Sequence, residues 1–229
     1  MSVNLRALSI ALLLLFWSGC RRNVRLPENL EAYHITYRID YLEEKAGDVP
    51  TRLLPAEMEA YFTDYFVMSR IEGFFRQFSL VQIADLQRKR VTTMLHFFGN
   101  KVYYEGKRGE LPAAVVEPEN LQFSYTGDTA VIGGLRSERI EVGTGTDRFN
   151  IYSTREFSVN QPNITTPYRS IDDPLSEFRV QLSLLKMHLT CSEFETKIVG
   201  SELFTVPEGY RQVSREAMEE IINSLFTKE

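Results

Sequence analysis

Three histidines, one internal cysteine and a few loop carboxylates are the residues here that could do chemistry. His34, His96 and His188 all fall in segments that read as strands, far apart along the chain. A zinc site or a catalytic triad would need the fold to bring them together from scattered strands. The ordinary role of such histidines is to face solvent or to cap a polar network. Cys191 keeps phase with Met187 and Leu189 on an apolar face, which predicts a buried, inert thiol. Asp172-Asp173 precedes Pro174 and reads as a polar loop rather than a calcium or acid–base pair. Arg88-Lys89-Arg90 reads as a solvated hairpin tip, and Asn163-Ile164-Thr165 matches the glycosylation pattern. There is no nucleophile elbow, phosphate loop, dinucleotide fingerprint or His-Glu-x-x-His. The expectation is a protein that is not an enzyme and uses no metal or cofactor.

The apolar residues say more. Leu53 and Leu54 sit in a loop bounded by Pro50 and Pro55, where they could insert into a membrane or a partner, or fold back onto the core. Tyr37, Tyr61, Phe78, Phe97 and Tyr103 lie in strand patterns and could line a ligand cavity; such aromatics also commonly fill the space between a sheet and a helix.

The chain has 229 residues, is 43% hydrophobic and 25% charged, and carries a net charge of −5. That composition suits one globular domain and argues against nucleic acid, whose backbone attracts a basic footprint. Arg6 is followed by an apolar run, Ala7 to Trp17, too short for an ordinary membrane-spanning helix. The run ends in Leu15-Phe16-Trp17-Ser18-Gly19-Cys20. This segment resembles a bacterial lipobox, although Trp17 stands where a small aliphatic residue is usual. The resemblance implies a signal peptide over residues 1–19, a lipidated Cys20 with a tether over 20–31, and a single domain over 32–229. The acyl chains would anchor the protein stably. Arg21, Arg22 and Arg25 would then face anionic headgroups or simply solvate the tether. Arg21 is not the aspartate that often retains such proteins at the inner membrane, so the expected destination is the outer membrane, facing the periplasm. Processing would remove Trp17, the sole tryptophan.

The elements that must position all this read mainly as β. Tyr33 to Tyr41 alternate with period two, a half-buried strand. Residues 56–72 place Met58, Tyr61, Phe62, Tyr65 and Phe66 at helical spacing, but the aromatics and Thr63-Asp64 favour two strands. Residues 78–86 and 91–97 flank the basic tip as a hairpin. Gly99-Asn100 reads as the next turn, before a strand at Val102-Tyr103-Tyr104. Further strands are expected at 120–125, 136–142, 148–154, 178–190 and 194–206, with a bulge where the 178–190 alternation changes phase. Met218, Ile221, Ile222, Leu225 and Phe226 mark one face of a terminal helix capped by Ser214. The fold class is mainly β (α+β): a strongly curved antiparallel sheet, or incomplete barrel, with the helix packed on it.

Several stretches together resemble a family of exported bacterial lipoproteins of unknown function, related in pattern to lipoprotein carriers of the LolA/LolB type. They are Ala84-Asp85-Leu86 through Leu95, Asn100 to Glu105, Thr129 to Leu135, Phe149 to Thr154, and Phe204-Thr205-Val206-Pro207-Glu208-Gly209-Tyr210 before the last helix. The resemblance implies a half-barrel around an apolar cavity and assigns no catalytic residue. Two functions follow as expectations. One is a tethered protein that holds a lipid, acyl chain or other hydrophobic ligand. The other is an interaction or assembly module with an envelope protein as its partner.

Overall fold

The computed structural model describes residues 26–73, 77–145 and 147–227. Cys20 and the lipobox lie outside the described residues. The tyrosine–isoleucine alternation of residues 29–41 builds β1 (Asn29–Tyr41), a 13-residue strand at the middle of the sheet. Next come the short strands β2 (Lys45–Ala46) and β3 (Val49–Pro50), which pair as a small separate hairpin. Residues 56–72 form two strands, β4 (Glu57–Phe62) and β5 (Phe66–Gly73). Thr63 Oγ1 makes their turn by accepting from the Phe66 backbone N–H at 2.8 Å. Beta-rich, aromatic sequence overrides the helical spacing there because each strand gains a partner along its length.

β6 (Phe78–Asp85) and β7 (Arg90–Phe97) form the hairpin with the basic tip. β7 continues into β8 (Asn100–Glu105). Phe97 pairs with Asn100, so the turn residues are Phe98 and Gly99, one position earlier than the sequence suggested. β9 (Gln122–Ile132), β10 (Leu135–Gly143) and β11 (Arg148–Thr154) form a meander. The expected strand at 120–125 thus runs on to residue 132. The expected single strand at 178–190 is two: β12 (Leu175–Leu182) and β13 (Leu185–Gly200). The phase change is a hairpin turn at Ser183-Leu184, not a bulge. The expected strand at 194–206 is the second half of β13 followed by a 3-10 turn at Ser201–Phe204. The chain ends with β14 (Arg211–Gln212) and helix α1 (Arg215–Ser224).

Twelve strands form one sheet in the order β14-β8-β7-β6-β5-β4-β1-β13-β12-β11-β10-β9. Every pairing is antiparallel except β14 with β8. β14 and β9 are free edges, so the barrel is not closed. Its curvature shows in which residues meet: Phe62 and Leu80 from one half face Phe178 and Leu182 from the other across one interior. Two loop segments cover that interior. Residues 106–121 bring in Leu111, Ala113 and Val115, and residues 155–174 bring in Phe157, Ile164, Tyr168 and Ile171.

The outer face carries a second, smaller core. Leu30, Ala32, Tyr61, Met68, Val81, Ile83 and Met94 lie there beneath Phe204 and the crossing segment that follows β13. β1 is therefore buried on both faces at its centre, with His34 and Ile35 4% and 0% exposed.

α1 buries Met218 and Ile222, and Phe226 joins them just beyond its end. Ser214 caps it by accepting from the Ala217 N–H at 3.2 Å. Ser214→Ala is expected to lower stability by about 1 kcal/mol, a fall of roughly 2–4 °C in a thermal melt.

Candidate ligand-binding site

The centre of the half-barrel is filled. Between Tyr37, Met58, Phe62, Leu80, Phe178 and Leu189 there remains a cavity of only about 60 Å3. Polar groups inside are consumed by the fold. Tyr37 donates to Leu175 O at 2.6 Å, and burial pushes its phenol far above the ordinary range. Thr93 accepts from the Ala113 N–H at 3.0 Å, which pins the first covering segment. Asn163 donates to Ile171 O and Asp173 O at 2.8 and 2.9 Å, which ties the second into a loop. Asn163 is buried, so the glycosylation pattern is not displayed to solvent.

Space reappears at one mouth. A pocket of about 170 Å3 lies under α1, between the β1–β4 connection and the ends of β5–β7 with the β7–β8 turn. Tyr41, Val49, Leu54, Pro55, Phe78, Leu95, Phe97, Phe98, Leu185, Ile222, Leu225 and Phe226 are among its lining residues. Among the described lining residues the single polar side chain is Tyr41, whose hydroxyl donates to Pro55 O at 2.7 Å. Ile71, Leu80 and Leu182 line both this pocket and the central cavity.

The mouth also has an apolar rim. Leu53, Phe98 and Leu184 are 57%, 64% and 42% exposed. Phe98 lines the pocket itself, and each leucine adjoins a lining residue in sequence, Leu54 or Leu185. Leu184 and Phe98 are hairpin-turn residues, where polar side chains or glycine would be ordinary. The Gly47 loop locks this end together: the Asp48 N–H donates to Phe226 O at 2.8 Å.

The opposite mouth is of another kind. The β6–β7 tip presents Arg88, Lys89 and Arg90, and the Gly109 N–H donates to Lys89 O, which places Lys107 and Arg108 close by. Arg88 and Arg90 share a hollow of about 410 Å3 with Leu26, where the chain leads toward β1.

The catalytic candidates stay apart. His34 lies on the outer face, its ring 3.2 Å from Glu195 and 3.5 Å from Glu59. Arg70 donates to Glu59 at 2.9 Å. Burial raises the Glu59 carboxyl, but the Arg70 hydrogen bond and the nearby cationic charges outweigh it and hold the group below its ordinary value. His188 pairs with Glu177 at 2.9 Å. Asp173 is held by Arg155 at 2.9 Å. These side chains are partnered within the sheet rather than with one another, and His34 Nε2 is buried without a hydrogen bond of its own. Among the described residues no three of His, Cys, Asp and Glu gather as a metal would require. Cys191 is buried, its thiol pushed up to about 11 by that burial, as the apolar phase predicted.

Of the five aromatics picked as cavity residues, Phe78 and Phe97 line the mouth and Tyr37 the central cavity. Tyr61 and Tyr103 lie on the outer face, with Tyr103 donating to Gln212 Oε1 at 3.4 Å. Leu54 folds back and Leu53 stays out. The lining contribution of Tyr41, Leu185, Leu225 and Phe226 was missed. For the last two the signal was present, as the helix stripe continues past residue 224 to positions 225 and 226.

Among the described residues no helix is long and apolar enough to cross a membrane. In sequence the chain matches no family model and no curated protein. In structure it resembles PNGF-II, with a TM-score of 0.52 and 10% identity over 85% of this chain and 33% of that one. The chain therefore spans about a third of that neighbour's length, and what the two share is a fold.

Proposed function

We propose that this protein is a non-enzymatic envelope lipoprotein, anchored through Cys20 to the outer membrane and facing the periplasm, that binds a hydrophobic ligand at the α1 mouth of its half-barrel. The observation that carries this reading is the mouth itself: a pocket whose described lining is apolar apart from Tyr41, with Phe98 exposed at its edge and Leu53 and Leu184 exposed beside lining residues. A LolA/LolB-like carrier would use such a curved sheet in this way, and the size of the pocket restricts what enters. About 150 Å3 of apolar cavity holds one benzene ring. The mouth, at about 170 Å3, takes part of a hydrophobic molecule rather than a whole lipid.

The two ends suit an anchored protein. The basic tip lies beside the incoming chain and would meet anionic headgroups. The apolar mouth opens at the far end of β1, roughly 40 Å away for 13 residues. Processing at Cys20 removes the only tryptophan, so the mature protein should lack tryptophan fluorescence.

Native mass spectrometry of residues 21–229, exported without the anchor, tests the binding. The expected result is a reproducible adduct that extracts into organic solvent. A bare mass would favour the second reading, in which the same rim receives an apolar side chain of an envelope protein, and a stoichiometric partner should then appear in detergent-solubilised envelopes.

A further inference from the structure

The residue at the tip of the β7–β8 hairpin is the wrong one for its turn. Phe97 pairs with Asn100, leaving a two-residue loop. Phe98 and Gly99 both have positive φ, 44° and 86°, which is the type I′ geometry. That turn favours Asn-Gly or Asp-Gly, because a bulky side chain strains the left-handed region. Phe98 is moreover 64% exposed. Among the described residues its ring partner is Phe97, met edge-on at 4.7 Å and 86°. The fold gains little from an aromatic here that Asn would not offset through the turn. The mouth gains more, since Phe98 is the most exposed of its described lining residues.

The lining also sets the ligand's chemistry. Among the described residues no charged side chain lines the space and Tyr41 is the one polar side chain, so the bound part is mainly hydrocarbon. A volume somewhat above that of a one-ring cavity fits about six to eight carbons. The exposed rim leaves any polar head in water.

We propose that Phe98 is a ligand-contacting residue that clamps the terminal six to eight carbons of a single hydrocarbon chain, belonging to a single-chain amphiphile, across the mouth. This rests on the reading of the mouth as a ligand site and adds the class of ligand and the residue that selects it.

The test is calorimetric titration of residues 21–229 with octyl glucoside below its micelle concentration, with glucose and the rigid-ring amphiphile cholate as comparators. Wild type should bind octyl glucoside and neither comparator. Phe98→Asn should weaken binding at least tenfold while its unfolding midpoint stays within about 4 °C of wild type, turn preference offsetting the lost ring contact. Phe98→Leu should bind within about threefold of wild type. Phe98→Asp is the second turn-compatible variant. Octyl glucoside binding by Phe98→Asn equal to wild type would overturn the role of Phe98. So would melting far below wild type in both Asn and Asp variants, since Phe98 would then serve the fold. Cholate binding, or no octyl binding by a protein that still yields an extractable adduct, would overturn the ligand class alone. No octyl binding and no adduct would bring down the ligand site with it.

Discussion

Gly133→Val should leave little folded protein. Gly133 opens the β9–β10 turn with φ 57°, a conformation that costs a β-branched residue heavily. A Cβ there would stand 2.6 Å from Cys191 O and closer still to the thiol. The neighbour is β13 backbone at the middle of the sheet, which cannot move aside without breaking its pairing with β1. Strain and clash together should cost about 4 kcal/mol or more, among the largest effects of a single substitution. Gly134 is the internal control. Its φ is 86°, but nothing lies within 4 Å of the position a Cβ would take. Gly134→Ala should therefore cost only the conformational part, roughly 1–2 kcal/mol. Urea denaturation of both variants reads the difference. Similar midpoints for the two would mean that the approach to Cys191 is not tight.

Leu54→Trp should abolish ligand binding without unfolding the domain. Leu54 lines the mouth from the end of the 3-10 turn and is only half-buried, so a larger side chain can rotate into the free volume of about 170 Å3. Because the volume is already there, the overpacking cost should stay below about 1.5 kcal/mol, whereas in a tight core it would run to 1–3 kcal/mol. The adduct seen with wild type should disappear. The new indole, alone in a mature chain without Trp17, should emit as a buried group. Retained adduct with a buried indole would place the ligand elsewhere.

What the sequence revealed and what it hid both follow from local chemistry. β1 was legible because tyrosine and isoleucine repeat with period two, and α1 because its apolar stripe and Ser214 cap agree. The two hairpin turns at the mouth were not legible, because Phe98 and Leu184 are poor turn residues. Local signals there favour Gly99-Asn100 as one turn and a bulge in place of the other. That local mismatch is itself the trace of the rim, since the residues that break turn preference are the ones that surround the pocket. Tyr61 and Tyr103 were placed inside for a different reason. Period two says which residues share a face but not which face is interior, and this sheet is covered on both. The Glu59–Arg70–His34–Glu195 cluster, drawn from four strands, could not be read from spacing at all.

The measurement that tests the account most directly is a methyl NMR titration of residues 21–229, with leucine and isoleucine labelled, against octyl glucoside. The account predicts shifts at Leu54, Leu95, Leu185, Ile222 and Leu225 around the mouth, fading toward Leu189 in the filled centre. Shifts confined to Leu30 and Ile83 on the outer face, or none up to the micelle concentration, would contradict it.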